Sequence, residues 1–151
     1  MSTLERAIAI AAEAHAGQFD KAGSNYILHP LRVMLKVSTI EERIVAVLHD
    51  VCEDCPGWSL QRLRSEGFSE EIISAISSVT KRPEEDGDNG YFRFVRRAAS
   101  NPIGRRVKLA DLQDNLDITR IVNPTKRDHD RLERYRKAID LIQRLEADER
   151  V

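Results

Sequence analysis

Four side chains along this sequence are of the types that hold a divalent metal in an open, water-bearing site: His29 in YILHP, His49 and Asp50 in VLHDVCED, and Asp111 in VKLADLQDN. Glu53 and Asp54 follow the His-Asp pair by one helical turn. Spare carboxylates beside a metal set are what an activated water needs for proton transfer. Together these residues compose a metal-assisted hydrolysis of a phosphate ester or anhydride.

His49 and Asp50 are neighbours, about 100° apart around a helix axis, so they reach one ion only near an exposed or widened helix end. Pro56-Gly57 supplies such an end. Glu53 and Asp54 recur at helical spacing from this pair and line one side of the same helix. A run of ionisable groups like this is costly on a buried face unless a cation neutralises it. A solvated acidic helix end beside a chance histidine is the plain alternative. The apolar AVLHDV context favours a buried His49 and the metal.

Asp111 sits among Val107, Ala110 and Leu112, which turn it toward the interior or a cleft wall. Asn115 lies one turn later on the same face, where an amide orients a water or a phosphate oxygen without adding charge. Asp114 and Asp117 point elsewhere and read as solvated surface. Cys52 and Cys55 form a C-x-x-C without a second cysteine pair, and read as reduced thiols at a helix end.

The elements that must position these groups are helices. Ser2 with Glu5 predicts a capping box opening a helix to about Ala16, stopped by Gly17. Pro30 fits the first turn of a second helix, to about Val37, with His29 at its N-terminal junction. Thr39 with Glu42 caps a third, running through Ile44 and Val51 until Pro56-Gly57 breaks it. Ser59 and Ser69 start two more, the first ended by Gly67 and the second running to about Thr80. Lys81–Gly90 is an acidic stretch without periodicity, read as a solvated connection, with a mobile lid as the functional alternative. Helices resume at Tyr91–Ala99 and, after Asn101-Pro102, to about Ile121. Pro124 opens the last, whose apolar stripe is Leu132, Tyr135, Ile139 and Ile142.

The 151 residues suit one domain, 1–151, with a core of its own. Charged residues make up 32% of the chain at a net charge of −1, which argues against generic nucleic-acid binding. No apolar run is long enough to span a bilayer. The N-terminus lacks a basic start and makes a poor signal peptide, so the expected location is the cytoplasm. The oligomeric state is unknown from sequence.

AHAGQFDKAGSNYILHPLRV, AVLHDVCED and VKLADLQDNL lie in an order and span that resemble the HD-domain phosphohydrolases, on the branch of the RelA/SpoT hydrolase domain and its small metazoan homologue. The resemblance implies an all-α HD-domain helical bundle. It implies one divalent ion, Mn²⁺-like, on His29, His49, Asp50 and Asp111. It gives Glu53 and Asp54 a part in activating water and places Asn115 in the substrate pocket. The family's best-known reaction removes the 3′-pyrophosphate of (p)ppGpp, so the expected partner is a small phosphorylated nucleotide. Phosphate needs cations: Lys21, Arg32, Arg93, Arg96, Arg97, Arg105, Arg106 and Lys108 are candidates, most of them expected to be ordinary surface charge, and Lys21, in the loop leading to His29, matches a basic family position. Arg131 and Tyr135 resemble an Arg-x-x-x-Tyr pair that contacts nucleotide, although Tyr135 also fits core packing. Where relatives carry Arg-Lys this chain has Asp20-Lys21, which removes an arginine that packs on guanine. The alternatives are therefore a different nucleotide or small phosphoester, or a nucleotide-sensing module without turnover.

Overall fold

A computed structural model describes residues 1–150. Nine α-helices form among the described residues: α1 (Leu4–Ala14), α2 (Leu28–Lys36), α3 (Ile40–Leu48), α4 (Val51–Asp54), α5 (Leu60–Ser65), α6 (Glu70–Ser78), α7 (Gly87–Ala99), α8 (Pro102–Asn115) and α9 (Lys126–Glu149). Two 3-10 turns, Pro83–Glu85 and Ile118–Arg120, complete the order. The only sheet-like pairing among the described residues is an isolated antiparallel bridge, Phe19 with Asn25. The all-α expectation holds. No helix among the described residues is long and apolar enough to cross a membrane.

α3 is the centre of the larger core. Ile44 through Leu48 are all buried, as expected for a helix that is apolar all round and has neighbours on every side. It packs on α1, α2, α6 and α8. A second core joins Tyr91, Phe94 and Val95 of α7 to Leu112 of α8 and to Ala138, Leu141 and Ile142 of α9. α8 belongs to both cores, so Asp111 sits on the seam between them.

Local capping accounts for most boundaries. Thr39 and Glu42 make the expected capping box on α3, and Ser59 and Ser69 cap α5 and α6. Four boundaries differ from expectation. Thr3, not Ser2, caps α1 by accepting from the Arg6 backbone N–H, because the Ser2 N–H is drawn onto the Gly67 carbonyl. The expected third helix is interrupted at His49-Asp50, and α4 resumes as a single turn. α8 ends at Asn115 rather than near Ile121, since the Asp117 carboxylate accepts from the Thr119 N–H and starts a 3-10 turn. α7 begins at Gly87, inside the stretch expected to be loop.

The 81–90 stretch is largely exposed, as expected of a solvated connection, but Glu85 and Gly90 are buried within it. Glu85 is buried and accepts two hydrogen bonds from Arg97, which also donates to the Ser77 and Thr80 carbonyls. Gly90 packs so closely on the Glu85 backbone that an added Cβ would lie 2.4 Å from it. Lys81, Glu85 and Gly87 of this segment line the cavity beside the site.

Candidate metal centre

The break in α3 solves the geometric problem posed by two adjacent ligands. At the interruption the His49 imidazole turns back on its own helix, and Nδ1 donates to the Ala46 carbonyl at 2.6 Å. That bond fixes the tautomer and leaves Nε2 as the free nitrogen. Asp50, one residue on, leads into the single turn of α4, so the pair is released from the 100° relation of a continuous helix. α2 delivers His29 and α8 delivers Asp111.

These four side chains converge. His29 Nε2 lies 2.9 Å from Asp111 Oδ1 and 3.7 Å from Asp50 Oδ2. His49 Nε2 lies 3.1 Å from Asp50 Oδ2 and 3.4 Å from Asp111 Oδ1. His29, His49 and Asp111 are all more than nine-tenths buried. Their liganding atoms fall within 4.8 Å of one another, as do those of Asp50, Glu53 and Asp54. His49 Nε2 is buried without a properly aligned hydrogen-bond partner, although carboxylate oxygens surround it. An unsatisfied nitrogen among buried carboxylates, with two imidazoles and two acids in all, fits a divalent cation of Mn or Zn type.

The electrostatics agree with that fit. Burial opposes charge on His29 and His49, yet the facing carboxylates win and hold both imidazoles above their ordinary pKa. Asp111 is held well below its ordinary value against burial, by Lys108 and His49 first. A cation bound among these carboxylates would compete with those protons. At the rim Glu53 accepts from the Lys81 backbone N–H at 2.8 Å. Partial withdrawal from water raises its pKa. Asp54 is pushed up to about 6, by shielding from water and then by the charges of Asp50 and Glu53.

Three supporting groups were not foreseen as such. Asp114, expected on the solvated surface, is buried and accepts from His29 Nδ1 at 2.7 Å and from Arg32 at 2.8 and 3.1 Å. The reason is the neighbouring α2, whose His29 and Arg32 both reach it. Lys108, one of the candidate phosphate cations, is buried and pairs instead with Asp111 Oδ2 at 3.0 Å. The Tyr26 hydroxyl donates to Asp50 Oδ2 at 2.5 Å. The Asp–x–x–Asp spacing 111/114 was the available signal for Asp114, since i and i+3 share a helix face. Asp117 is exposed, as expected.

Two cavities meet at the centre. A polar one of about 220 Å³ is lined by Asp50, Glu53, Asp54, Asp111, Lys108 and Tyr91 among others. The second, about 310 Å³, carries Lys21, Arg32, Arg120 and Arg131 on its walls with Asp20, Asp117 and Asp128, and Arg32, Arg120 and Arg131 each pair with an aspartate. His29, Tyr26, Asn115 and Tyr135 line both. The expected residues Lys21, Asn115, Arg131 and Tyr135 are thus brought to one place. Asn115 also donates to Asp111 Oδ1 at 3.1 Å.

No protein-family model matches the chain. It is 30% identical over 132 residues to the guanosine-3′,5′-bis(diphosphate) 3′-pyrophosphohydrolase of Aquifex aeolicus, covering 82% of this chain and 19% of that protein. It is 34% identical over 128 residues to the enzyme of the same name from Haemophilus influenzae, covering 78% and 19%. A solved structure of a metazoan ortholog of SpoT that hydrolyzes ppGpp superposes with a TM-score of 0.75 at 21% identity, covering 92% of this chain and 84% of that one. The chain is SpoT-hydrolase-like in sequence and fold. It spans about a fifth of the length of the curated relatives it matches.

Beside this site, Asp20 has a local duty. Its carboxylate accepts from the Ala22 and Ser24 backbone N–H groups, both at 2.9 Å, and so shapes the turn that presents Lys21. The two cysteines are free, as expected. Cys55 is buried with its sulfur 3.4 Å from His15 Nδ1.

Proposed function

We propose that the protein is a metal-dependent phosphohydrolase of a nucleotide-type substrate, and that it removes the 3′-pyrophosphate of (p)ppGpp in the cytoplasm. The observation that carries this reading is the convergence of His29, His49, Asp50 and Asp111 where an acidic cavity meets a cation-rimmed one. The relatives named 3′-pyrophosphohydrolases support the choice of reaction. A divalent ion on these four groups, Mn²⁺ in our reading, supplies positive charge that lowers the pKa of water and draws in phosphate oxygens.

The chain's own groups do the rest. Glu53 and Asp54, at the rim beside Asp50, take the proton from the attacking water. The water oxygen bonds to the phosphorus carried on the 3′-oxygen, the bond from that phosphorus to the 3′-oxygen breaks, and the 3′-oxygen receives a proton. The products are GDP or GTP and pyrophosphate. Asn115 steadies Asp111 from the substrate side. Lys21, Arg131 and Tyr135 hold the nucleotide in the larger cavity.

The test is pyrophosphate release from (p)ppGpp with Mn²⁺ and after chelation. Hydrolysis that requires the metal and is lost in Asp111→Asn is the expected result. Metal-loaded protein that leaves (p)ppGpp intact would overturn the reading. Asp20 favours a second one, another nucleotide or small phosphoester, because its side chain is committed to the turn and offers no cation for a guanine to stack on. A hydrolysis screen across nucleotides separates the two.

A further inference from the structure

The cavity that holds Asp50, Glu53, Asp54 and Asp111 is also lined by three cations, Lys81, Lys108 and Arg134. Two of them are neutralised within the fold. Lys108 pairs with Asp111 at 3.0 Å, and Lys81 pairs with Asp86 at 3.0 Å. Arg134 on α9 makes no ion pair among the described residues, and its Nε is buried without a hydrogen-bond partner. Its guanidinium lies over the ring of Tyr91, 4.5 Å from the centroid. Tyr91 is 7% exposed, and its hydroxyl is likewise buried with no partner.

Buried donors are nearly always satisfied, and two unsatisfied ones in contact, in one cavity, call for an outside acceptor. A guanidinium fork held by stacking on an aromatic ring is pre-organised for a two-oxygen anion, and a phenol adds a third donor. The cavity's carboxylates repel such an anion unless an unpaired cation offsets them, and Arg134 is that cation. Among the described residues no carboxylate pairs with it, although Asp88, Asp130 and Glu133 share a neighbouring cavity with it.

We infer that Arg134, propped on Tyr91, and the Tyr91 hydroxyl form the subsite that holds the departing pyrophosphate. The inference rests on the phosphohydrolase reading above and deepens it by giving the leaving group a place. Arg134 is a phosphate-binding residue here, distinct from Arg131, which lines the larger cavity.

The test is calorimetric binding of inorganic pyrophosphate to the Mn²⁺-loaded protein, with Mn²⁺ affinity and melting temperature measured on each variant. Arg134→Met keeps the aliphatic stem and removes the fork. It should weaken pyrophosphate binding roughly 10- to 100-fold, the range of one or two charge-assisted hydrogen bonds, with Mn²⁺ affinity unchanged. Tyr91→Phe keeps the ring and should lose a few-fold. Arg144→Met, farther along α9 and outside this cavity, should change nothing. If Arg134→Met does not fold, Arg134→Lys and Tyr91→Phe read the same affinity. Pyrophosphate bound equally by wild type and by the Arg134 and Tyr91 variants would overturn the subsite, as would no binding to the wild type. Loss of pyrophosphate binding in Arg134→Met, in a protein that leaves (p)ppGpp intact, would uphold the subsite and sink the substrate. Hydrolysis of (p)ppGpp with unchanged pyrophosphate binding in Arg134→Met would do the reverse.

Discussion

Replacing Asp114 with Asn exchanges one carboxylate oxygen for an amide nitrogen at a buried position that holds both His29 and Arg32. One oxygen accepts from His29 Nδ1 and from an Arg32 terminal nitrogen, and the other from Arg32 Nε. An amide has a single oxygen, and its NH₂ faces a donor whichever way it is turned. At least one charge-assisted hydrogen bond is lost, worth about 1.5–3 kcal/mol. If the amide turns its nitrogen to His29, that loss falls on the tautomer and on the basicity of Nε2. Substitutions behind a metal-ligating histidine cost roughly 10–100-fold in metal affinity, which is the same range in energy. Isothermal titration with Mn²⁺ should therefore show a 10–100-fold rise in Kd for Asp114→Asn. Turnover of (p)ppGpp should recover when Mn²⁺ is raised to saturation, because no reacting group has changed. Asp117→Asn, three residues on and exposed, should match wild type. Equal Mn²⁺ affinity in folded Asp114→Asn and wild type would refute the argument.

Glu53→Gln retains an acceptor for the Lys81 N–H, so it should keep that contact in place and preserve Mn²⁺ binding while lowering kcat by ~10²–10⁴-fold. Asp50→Asn should instead lower metal retention, measured by elemental analysis after dialysis, and full activity in both variants would break the assignment of roles. Asp20→Asn keeps an acceptor for the Ala22 and Ser24 N–H groups and removes one negative charge beside Lys21, so KM for (p)ppGpp should fall modestly. Asp20→Arg loses those two hydrogen bonds, about 0.5–1.5 kcal/mol each, which offsets the ~0.5–1 kcal/mol of a cation–π contact with the base. Its kcat/KM should therefore not exceed that of Asp20→Asn. Arg97 holds Glu85 below its ordinary pKa, so the stability the pair contributes is complete above pH ~4.5 and is lost as pH falls through the lower folded-state value. Urea melts of Glu85→Gln should show a deficit of about 1–3 kcal/mol at pH 7 that shrinks below pH ~4, and a deficit that stays constant with pH would count against the pair.

Local rules were enough for the helices and for the ligand types. Caps such as Thr39–Glu42, Ser59 and Ser69 act over three or four residues, and their outcome is written in the adjacent sequence. The apolar run Ile44–Leu48 likewise announced a buried central helix, and with it a buried His49. Some boundaries failed for local reasons, as where Asp117 accepts from Thr119 and ends α8 early, and other readings failed because they depended on a partner far along the chain. Ser2 lost its cap role to a bond with Gly67, and Glu85 is buried within the otherwise exposed 81–90 stretch because Arg97 reaches back to it. Asp114 carries the same polar side chain as Asp117, three residues apart on the chain. One is buried and the other exposed only because α2 brings His29 and Arg32 against α8. The sequence by itself determined which groups could hold a cation and on which helices they ride. Only the tertiary structure decided how His49 and Asp50 escape a continuous helix and which carboxylate backs His29. It alone left Arg134 without a counter-charge. Burial and long-range pairing set the cost of each charge, and neither is a property of a residue and its chain neighbours.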